Sequence, residues 1–499
     1  MRSPPAPEAV VWRHTWLPAA VAAVFLLLAV AVALARRPEC DEGWFANPAY
    51  TLATRGYMGS PVLEPANTFT GGVTYRGIDR HTYWIMPLNP LLQAAVYKVF
   101  GFSLLAMRAI SMAWGLVALA AWYLLLRKLA PDRRVAGLGV VLIAFDYAFI
   151  RGASQGRMDM MCASLTFTAF AAYLYLRETN LDRAVLVSHV LAAAAVFTHP
   201  CGALAVLNLV VLTIWFDRRR VGLSHLFLGL VPYAAGVAGW GLYAAQDPAS
   251  FWAQFRGNAA GRLWALRAPL KGLQAELVAR YLGAGAGPWF KALLPWPYLA
   301  GVAGSLAAGP LRRERGYRVL LVMAAIDFVY FWLLEGTKLY LYVVHIAPVC
   351  MSLLAAWIYW LWDHGWVPRW MIAAGVCGVL VMEIGGTGVV VRRNTYGRNF
   401  LPAARFLEGH ARKQDLIVGS AEMGFPLRFP ENLLDDVRLG YAGGKVPAYV
   451  VVEEKYAAWF LGTRSQPALY RYTTNFLEND CSLVYDRANY RIYRRKGLE

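Results

Sequence analysis

Long apolar runs alternate with short polar connections over most of the chain. A transmembrane helix needs about 20 predominantly apolar residues to cross a hydrocarbon core of about 30 Å. Eleven runs approach or reach this length, at 17–35, 103–126, 135–150, 159–176, 184–198, 201–216, 224–245, 290–309, 317–334, 339–361 and 370–391. The pattern therefore predicts an α-helical polytopic membrane protein with about eleven transmembrane helices.

Three longer regions interrupt this pattern and are expected to lie outside the membrane. Residues 36–102 mix Pro, Gly and aromatic residues around one short apolar helix, "NPLLQAAVYKVFG". Residues 246–289 are basic and contain Trp. The tail after residue 391 contains two runs typical of buried strands, "QDLIVGS" and "PAYVVVEEK", and one helical run, "LPAARFLEGHARK". We therefore expect a membrane domain at 1–391 and a small soluble α/β domain at 392–499.

Composition supports the membrane assignment. Only 16% of the 499 residues are charged and 58% are hydrophobic, whereas soluble domains carry about 25% charged residues. The net charge of +18 would suit nucleic acid, but much of it lies in connections at alternate ends of the apolar runs. We therefore expect membrane lipids, and not nucleic acid, as the surroundings of these charges.

The basic connections predict the orientation, because cytoplasmic loops carry an excess of Lys and Arg. This rule places the N-terminus in the cytoplasm and places residues 36 to about 102, with everything after 391, outside. The connections concerned contain Arg127, Lys128, Arg133, Arg134, Arg177, Arg183, Arg218, Arg219, Arg220, Arg312, Arg313, Arg315 and Arg318.

The first apolar run ends in "VALARR", which has the small residues of a signal-peptide cleavage site. Its nineteen apolar residues exceed a usual signal core, so we expect a retained membrane anchor. The six cysteines show neither a CxxC pair nor a zinc-like spacing with His. They predict neither a disulfide framework nor a metal cluster.

Ionisable residues from five connections fall on the predicted outer side. Such groups are costly at membrane depth and usually face a cavity or a partner, so their grouping predicts one external site. The expected members include Asp41 and Glu42 after the first span, Arg80 and His81, Arg157 and Asp159, His199, and Lys338 with Tyr342 and His345.

Each of these residues also has an ordinary structural interpretation. The acidic pair can start a helix, and Asp159 can pair with Arg157 or cap the fourth span. His199 precedes Pro200 and can be a turn residue, and Lys338 can extend from the bilayer to the interface. Lys338 and Tyr342 are four residues apart and are expected to share a helical face.

The loop 246–289 adds a basic surface on the same side. Its cations outnumber Asp247 and Glu276 and are interleaved with Trp264 and leucines. This composition suits the head group of an anionic lipid, although an amphipathic surface helix without a ligand would look similar. The basic residues are Arg256, Arg262, Arg267, Lys271 and Arg280.

Four stretches in this order carry a family resemblance: "DEGWFANPAYTLATRGY", "YWIMPLNPLLQAAVYKVFGFSLLAMRAISMAWG", "GRMDMM" and "TKLYLYVVHIAP". Together they resemble bacterial GT-C glycosyltransferases. The similarity is greatest to the dolichyl-phosphate-mannose protein mannosyltransferase-like group, which includes the aminoarabinose transferase of lipid A. It spans about 36–350.

The resemblance implies an inverting glycosyltransferase at the outer face of a bacterial inner membrane. The donor would be a polyprenyl-phosphate-linked sugar, and the acceptor an envelope lipid, glycan or protein. Asp41 would be catalytic, with Glu42 and Asp159 as further candidates, and Glu42 is expected mainly to orient a neighbour. Lys338 would contact the donor phosphate with Tyr342 beside it, and the further substrate-binding candidates are His199, Arg256, Arg262 and Arg267.

The chain departs from the family in one stretch. Many relatives have Glu-Lys-Pro-Pro where this chain has "HTYWIMPLNP". Arg80 or His81 would have to replace the catalytic or binding residue that is missing there. No cofactor is implied with certainty, because a carboxylate near a phosphate can hold a divalent metal or act without one.

A lipid flippase or secondary transporter is the competing interpretation. Such proteins commonly show repeated halves and charges inside their spans. This sequence shows no internal repeat, and Asp146 and Asp327 are the main acids within its apolar runs. A third interpretation, a structural assembly partner, would leave the external acids unexplained.

Overall fold

The computed structural model describes residues 16–67, 74–282 and 292–497. A helix lies at each of the eleven predicted spans. The helices up to residue 393 are α1 (Trp16–Ala35), α2 (Cys40–Arg55), α3 (Leu88–Phe100), α4 (Leu104–Leu129), α5 (Arg133–Phe145), α6 (Tyr147–Ala153), α7 (Asp159–Leu176), α8 (Leu181–Val196), α9 (Ala203–Asp217), α10 (Leu223–Ala244), α11 (Pro248–Ala260), α12 (Trp264–Arg267), α13 (Pro269–Glu276), α14 (Trp296–Ala307), α15 (Gly309–Arg313), α16 (Arg315–Leu333), α17 (Val343–His364) and α18 (Arg369–Arg393).

Among the described residues, eight helices are long and apolar enough to cross a membrane, or nine if α5 and α6 form one bent span. The two remaining predicted spans are the shorter helices α8 and α14, of 16 and 12 residues. The short helix expected in the first external loop is α3. The helical membrane architecture predicted from the apolar runs is therefore confirmed.

The break between α5 and α6 bends this span by 64°. Asp146 ends α5 and caps α6, because its carboxylate accepts a hydrogen bond from the backbone N–H of Phe149 at 2.7 Å. Glu383 of α18 accepts the N–H of Tyr147 at 2.9 Å. These side chains satisfy backbone donors that the bend removes from the helix ladder, and the bend leads the chain towards Arg157.

The predicted cytoplasmic connections meet at one end of the helix bundle. Lys128 pairs with Glu178 at 2.6 Å, and Arg134 pairs with Asp363 at 2.5 Å. Arg315 donates to the carbonyl of Trp215 at 2.8 Å. The structure thus separates the basic connections from the end that carries α2. Which end faces the cytoplasm stays a prediction of the positive-inside rule.

The tail after α18 folds into a five-stranded sheet with flanking helices. The strand order is β2-β1-β3-β5-β4, in which β1 pairs in parallel with β2 and β3, and β5 pairs antiparallel with β3 and β4. The two predicted strands and the predicted helix are confirmed as β1, β3 and α19. The elements are α19 (Leu401–His410), β1 (Ile417–Val418), α20 (Gly424–Leu427), β2 (Leu433–Leu434), β3 (Tyr449–Val452), α21 (Glu454–Gly462), α22 (Pro467–Asn475), β4 (Cys481–Arg487) and β5 (Tyr490–Arg495).

This C-terminal unit packs directly on α2. Phe45 and Ala49 of α2 belong to the same apolar core as Phe400 and Val451. A Cβ atom at Gly43 would lie 2.4 Å from the carbonyl of Ala421, so only glycine permits this approach. Helix α2 and the tail therefore share a core, while the domain boundary at residue 391 stays a prediction.

Candidate functional site

The first turn of α2 places the acidic pair at the end of the bundle where the C-terminal unit docks. Glu39 and Glu42 form a reciprocal capping box, in which the Glu42 carboxylate accepts the N–H of Glu39 at 3.0 Å. Asp41 lies in this turn, where a carboxylate is favoured by the helix dipole. Its side chain is 23% exposed and forms an ion pair with Arg157. Asp41 is therefore both held in place and accessible.

Glu42 is completely buried and its two oxygens are occupied. Arg108 of α4 binds both of them, at 2.8 Å each, and the N–H of Gly156 donates to Oε1 at 2.8 Å. Burial raises the pKa of Glu42, but Arg108 and these N–H groups outweigh it and hold the pKa below its usual value. This placement suits the orienting role expected for Glu42, because no acceptor atom remains for a substrate.

Arg157 joins the first external loop to the start of α7. Its Nε donates to Asp159 Oδ2 at 2.7 Å, and its Nη1 pairs with Asp41. Its guanidinium also lies over the ring of Phe45, at 5.2 Å from the centroid. The pairing of Asp159 with Arg157, one of the alternatives left by the sequence, is thus observed. Because Arg157 divides its charge between two carboxylates, it neutralises neither completely.

His199 and Tyr342 continue the site on the far side of Asp159. The His199 Nδ1 accepts the N–H of Cys201 at 3.1 Å, which leaves Nε2 as the protonated nitrogen of the neutral ring. This Nε2 lies 3.9 Å from Asp159 Oδ1. Burial lowers the pKa of His199 to about 3, so the ring is neutral. The His199 and Tyr342 rings lie 5.1 Å apart.

Arg262 reaches this group from the basic loop. Its Nε donates to Asn258 Oδ1 at 3.3 Å, and its guanidinium interacts electrostatically with the side chain of Tyr342. Both of these neighbours are uncharged in their ordinary protonation states. Arg262 therefore brings to Tyr342 a cation whose charge these two neighbours do not neutralise.

Lys338 lies in the loop between α16 and α17 with a left-handed backbone, at φ 52°. The expectation that it shares a helical face with Tyr342 is wrong, because Leu339 is extended and helical turns begin only at Tyr340. The Lys338 ammonium donates to the carbonyl of Trp332 at 2.9 Å and lies 3.3 Å from Glu276 Oε2.

Glu276 and Glu335 bind a second cation in the same cluster. Arg280 pairs with Glu335 at 2.7 Å and with Glu276, and its guanidinium lies 4.5 Å from the ring centroid of Phe331. In the sequence, Glu276 was recognisable only as one of two acidic residues in the basic loop 246–289. Its burial between Arg280 and Lys338 depends on how α13 packs against α16.

The remaining candidates lie elsewhere. Arg256 and Arg267 are exposed and form no ion pair with a described residue. Arg80 lies 5.8 Å from the ring centroid of Tyr57, and the His81 ring stacks on Tyr83 at 5.6 Å. The structure does not bring these four side chains into contact with Asp41 or Arg157.

Arg108 was missed in the sequence. It is a single arginine in the otherwise apolar run "LLAMRAISM". A charge in such a run costs several kcal/mol unless it finds a partner, and this cost was a usable signal. The second residue that was missed, Lys455, carried no signal because it lies about 415 positions from the site.

An apolar cavity of about 290 Å³ lies beside the Glu276–Arg280 cluster. It runs between α14, α16 and α17, and Leu277 and Tyr281 of the turn that follows α13 form one edge of it. Its lining residues include Leu277, Tyr281, Tyr298, Leu321, Phe328 and Cys350.

The described residues do not fit a divalent metal at the acidic site. Asp41 and Asp159 both bind Arg157, and no group of three or more His, Cys, Asp or Glu side chains in the described ranges is arranged to hold a metal ion.

The chain is similar to known membrane glycosyltransferases. Residues 81–243 match the profile of the dolichyl-phosphate-mannose-protein mannosyltransferase family. ArnT from Cupriavidus metallidurans, bound to undecaprenyl phosphate, superposes with a TM-score of 0.63 at 16% identity, over 97% of this chain and 98% of that chain. The oligosaccharyltransferase AglB from Archaeoglobus fulgidus, in complex with an inhibitory peptide and a dolichol-phosphate, superposes with a TM-score of 0.54 at 12% identity, over 98% of this chain and 75% of that chain. No curated protein matches the sequence.

These comparisons confirm the fold class predicted from the sequence. The GT-C fold extends over nearly the whole chain, including the C-terminal unit. The comparisons thus show a chain with this multi-pass fold, in which residues 81–243 are similar to the mannosyltransferase family.

Proposed function

We propose that this protein transfers a sugar from a polyprenyl-phosphate carrier to a hydroxyl of an envelope lipid, glycan or protein at the outer face of a bacterial inner membrane. One observation carries the proposal: contacts run from the accessible carboxylate of Asp41 through Arg157, Asp159, His199 and Tyr342 to Arg280, beside which the apolar cavity lies. A lipid-linked sugar phosphate needs a base for the acceptor, cations for its phosphate and an apolar surface for its chain.

Asp41 acts as the general base. It takes the proton from the acceptor hydroxyl as the hydroxyl oxygen attacks the anomeric carbon. The bond between that carbon and the phosphate oxygen breaks, and its electron pair leaves with the polyprenyl phosphate. A single displacement of this kind inverts the anomeric configuration. Arg157 orients Asp41, and Asp159 shares the positive charge of Arg157.

Arg262 is the first cation for the departing phosphate. Its hydrogen-bond partner Asn258 and its neighbour Tyr342 are uncharged in their ordinary protonation states, whereas the Arg280 guanidinium is paired with two glutamates. Lys338 is the second cation, although Glu276 and two carbonyls already engage its ammonium. Fixed cations at the leaving phosphate stabilise the charge that develops there.

The cavity beside Arg280 is proposed to hold the start of the polyprenyl chain. Its lining is apolar, and its edge at Leu277 and Tyr281 belongs to the segment that holds Glu276 and Arg280. A carrier in this position would have its phosphate near the cations and its chain between α14 and α16. The undecaprenyl phosphate bound to ArnT and the dolichol-phosphate bound to AglB support this class of ligand.

The transporter alternative gains no support from the acids within the spans. Asp327 accepts a hydrogen bond from Asn208 at 2.8 Å, and Asp146 caps α6. Both acids therefore have structural partners in the bundle.

A transfer assay separates the two functions. Mass spectrometry of envelope lipids and glycoproteins from a deletion strain would first identify the sugar that is lost. The purified protein in proteoliposomes should then move this labelled sugar from its polyprenyl-phosphate carrier to the acceptor. Intact donor that crosses the bilayer without transfer would instead establish a flippase.

A further inference from the structure

The C-terminal unit brings a lysine and a tryptophan to the catalytic end of α2. Lys455 and Trp459 lie four residues apart in α21 and therefore share one face of that helix. The Lys455 Nζ lies 3.6 Å from Cys40 Sγ and 3.8 Å from Glu39 Oε2. These two residues immediately precede Asp41, so Lys455 lies beside the proposed base.

The indole of Trp459 extends an aromatic surface that begins on α2. It stacks on Trp44, with centroids 6.0 Å apart and planes at 9°, and Trp84 contacts Trp44 edge-on at 6.2 Å. Phe45 stacks on Trp84 at 5.7 Å. Trp44 and Phe45 follow Asp41 by three and four residues, so this surface shares the Asp41 face of α2.

Buried hydrogen bonds hold this arrangement in place. The Trp44 Nε1 donates to Asp435 Oδ2 at 2.7 Å. Glu453 accepts the N–H groups at the start of α21 and pairs with Arg37 at 3.0 Å. Since Arg37 lies between α1 and α2, the helix that carries Lys455 and Trp459 is tied to the membrane domain beside the site.

Lys455 retains capacity for a ligand. Its side chain is 43% exposed, and its distance of 3.8 Å to Glu39 is too long for a good hydrogen bond. The indoles of Trp44, Trp84 and Trp459 are each only partly buried. A cation next to partly exposed aromatic rings suits a sugar ring that stacks through its C–H groups and bears an acidic substituent.

We propose that Lys455 and Trp459, with Trp44 and Trp84, form the acceptor subsite, and that it binds a saccharide carrying an anionic group. This inference rests on the proposed function, because it assigns the acceptor side of the same reaction. It also gives the C-terminal unit a direct part in substrate binding. The acceptor would sit between the two domains with its hydroxyl directed at Asp41.

Binding measurements on the full chain in lipid nanodiscs test this subsite. The probes are methyl β-glucuronide, which is anionic, and methyl β-glucoside, which is neutral, with undecaprenyl phosphate present to occupy the donor site. Wild type should prefer the glucuronide about tenfold, in line with one charge-assisted hydrogen bond. Lys455→Met should abolish this preference. Trp459→Ala should weaken the binding of both probes, and Trp459→Tyr should restore it.

Lys445→Met is the matched control, because Lys445 belongs to the same unit, is similarly exposed and pairs with Glu64 at 2.8 Å. It should leave both affinities unchanged. The saccharide subsite would be overturned if Lys455→Met preferred the glucuronide as strongly as wild type does. Tight binding of a Ser/Thr peptide that depends on Trp459 would overturn it as well.

Undecaprenyl phosphate binding separates this inference from the proposed function. The affinity for undecaprenyl phosphate should be unchanged in Lys455→Met and Trp459→Ala, since neither residue contacts Arg262 or Lys338, the two cations proposed for the phosphate. Loss of this binding in wild type would reject the donor assignment itself. Retained lipid binding without Lys455-dependent sugar binding would reject the acceptor subsite alone.

Discussion

At the scale of single residues, the sharing of Arg157 sets the chemistry available to Asp41. A carboxylate with its own buried arginine would be a poor base, because the ion pair stabilises its charged form. Here the Nε of Arg157 donates its hydrogen bond to Asp159, and part of the Asp41 side chain stays exposed. Asp41 therefore keeps a defined orientation together with access to an acceptor.

Asp41→Asn removes the base while nearly preserving shape. We expect expression and undecaprenyl phosphate binding to persist and turnover to fall at least about a hundredfold, the usual scale of general-base catalysis. Rates of sugar transfer by the purified variant provide the measurement. Near-normal turnover would exclude Asp41 as the base and make Asp159 the next candidate.

Arg262→Ala should weaken undecaprenyl phosphate binding more than Lys338→Ala does. A lost charge-assisted contact costs about 1.5–3 kcal/mol, or roughly tenfold to more than a hundredfold in affinity. The Lys338 ammonium is already held by Glu276 and backbone carbonyls, so less of its charge reaches the ligand. Titration of both variants into labelled lipid gives the comparison.

Lys271→Ala is the control, since Lys271 is an exposed cation of the 246–289 loop that also contains Arg262. Its affinity should match wild type. Wild-type affinity in all three variants would show that neither Arg262 nor Lys338 contacts the phosphate.

At the scale of elements, the position of α2 depends on a buried ion pair. Glu42 and Arg108 are both completely buried, and Arg108 also donates to the carbonyl of Ala33 at the end of α1. This pair joins α1, α2 and α4 at the point where the chain leaves the bundle. The geometry around Asp41 therefore depends on a contact between elements.

Glu42→Ala should destabilise the fold by about 3–5 kcal/mol, because it leaves Arg108 as an uncompensated buried charge. The double variant Glu42→Met/Arg108→Met should recover much of this loss, since it removes both charges. Thermal unfolding in detergent measures the difference. A single variant as stable as wild type would show that water or lipid solvates Arg108.

At the scale of the whole molecule, the tail is fastened to the membrane domain by buried polar groups. Glu422 accepts a hydrogen bond from Tyr490 at 2.5 Å and lies 3.8 Å from Arg37, with Glu453 and Lys455 also nearby. Burial raises the pKa of Glu422 to about 8, although Arg37 opposes this rise. The contact between the two units is thus sensitive to protonation.

Stability should fall as the pH rises from about 4.5 to about 8. In this window the folded protein keeps a proton on Glu422 that the unfolded chain has released, so rising pH favours unfolding. Glu422→Gln should flatten this part of the profile, because the amide cannot ionise. Unfolding temperatures between pH 5 and 9 test this, with the 84% exposed Glu431→Gln as a control that keeps the wild-type slope.

Orientation is the second prediction for the whole molecule. Tyr441→Cys lies on the exposed surface of the C-terminal unit and should react with an impermeant thiol reagent in intact cells. Arg219→Cys, in a basic connection at the opposite end, should react only after the membrane is opened. Labelling of Arg219→Cys in intact cells would reverse the assigned orientation.

Local patterns in the sequence determined the membrane helices and two of the five strands. Apolar length alone predicts membrane helices, since a segment in lipid must satisfy its own backbone hydrogen bonds. The runs that contain β1 and β3 were recognisable as buried strands, and "CDEGW" was recognisable as a possible helix start, where the structure places Asp41. These features depend on residues that are close along the chain.

Only the tertiary structure decided which side chains meet. Glu42 and Arg108 are 66 positions apart, and Lys455 reaches Cys40 across 415 positions. Such contacts depend on how helices pack and where the C-terminal unit docks. The hydrophobic periodicity of one segment carries no information about either. The same reason explains Lys338, whose loop conformation and pairing with Glu276 depend on the packing of α13 against α16 rather than on its spacing from Tyr342.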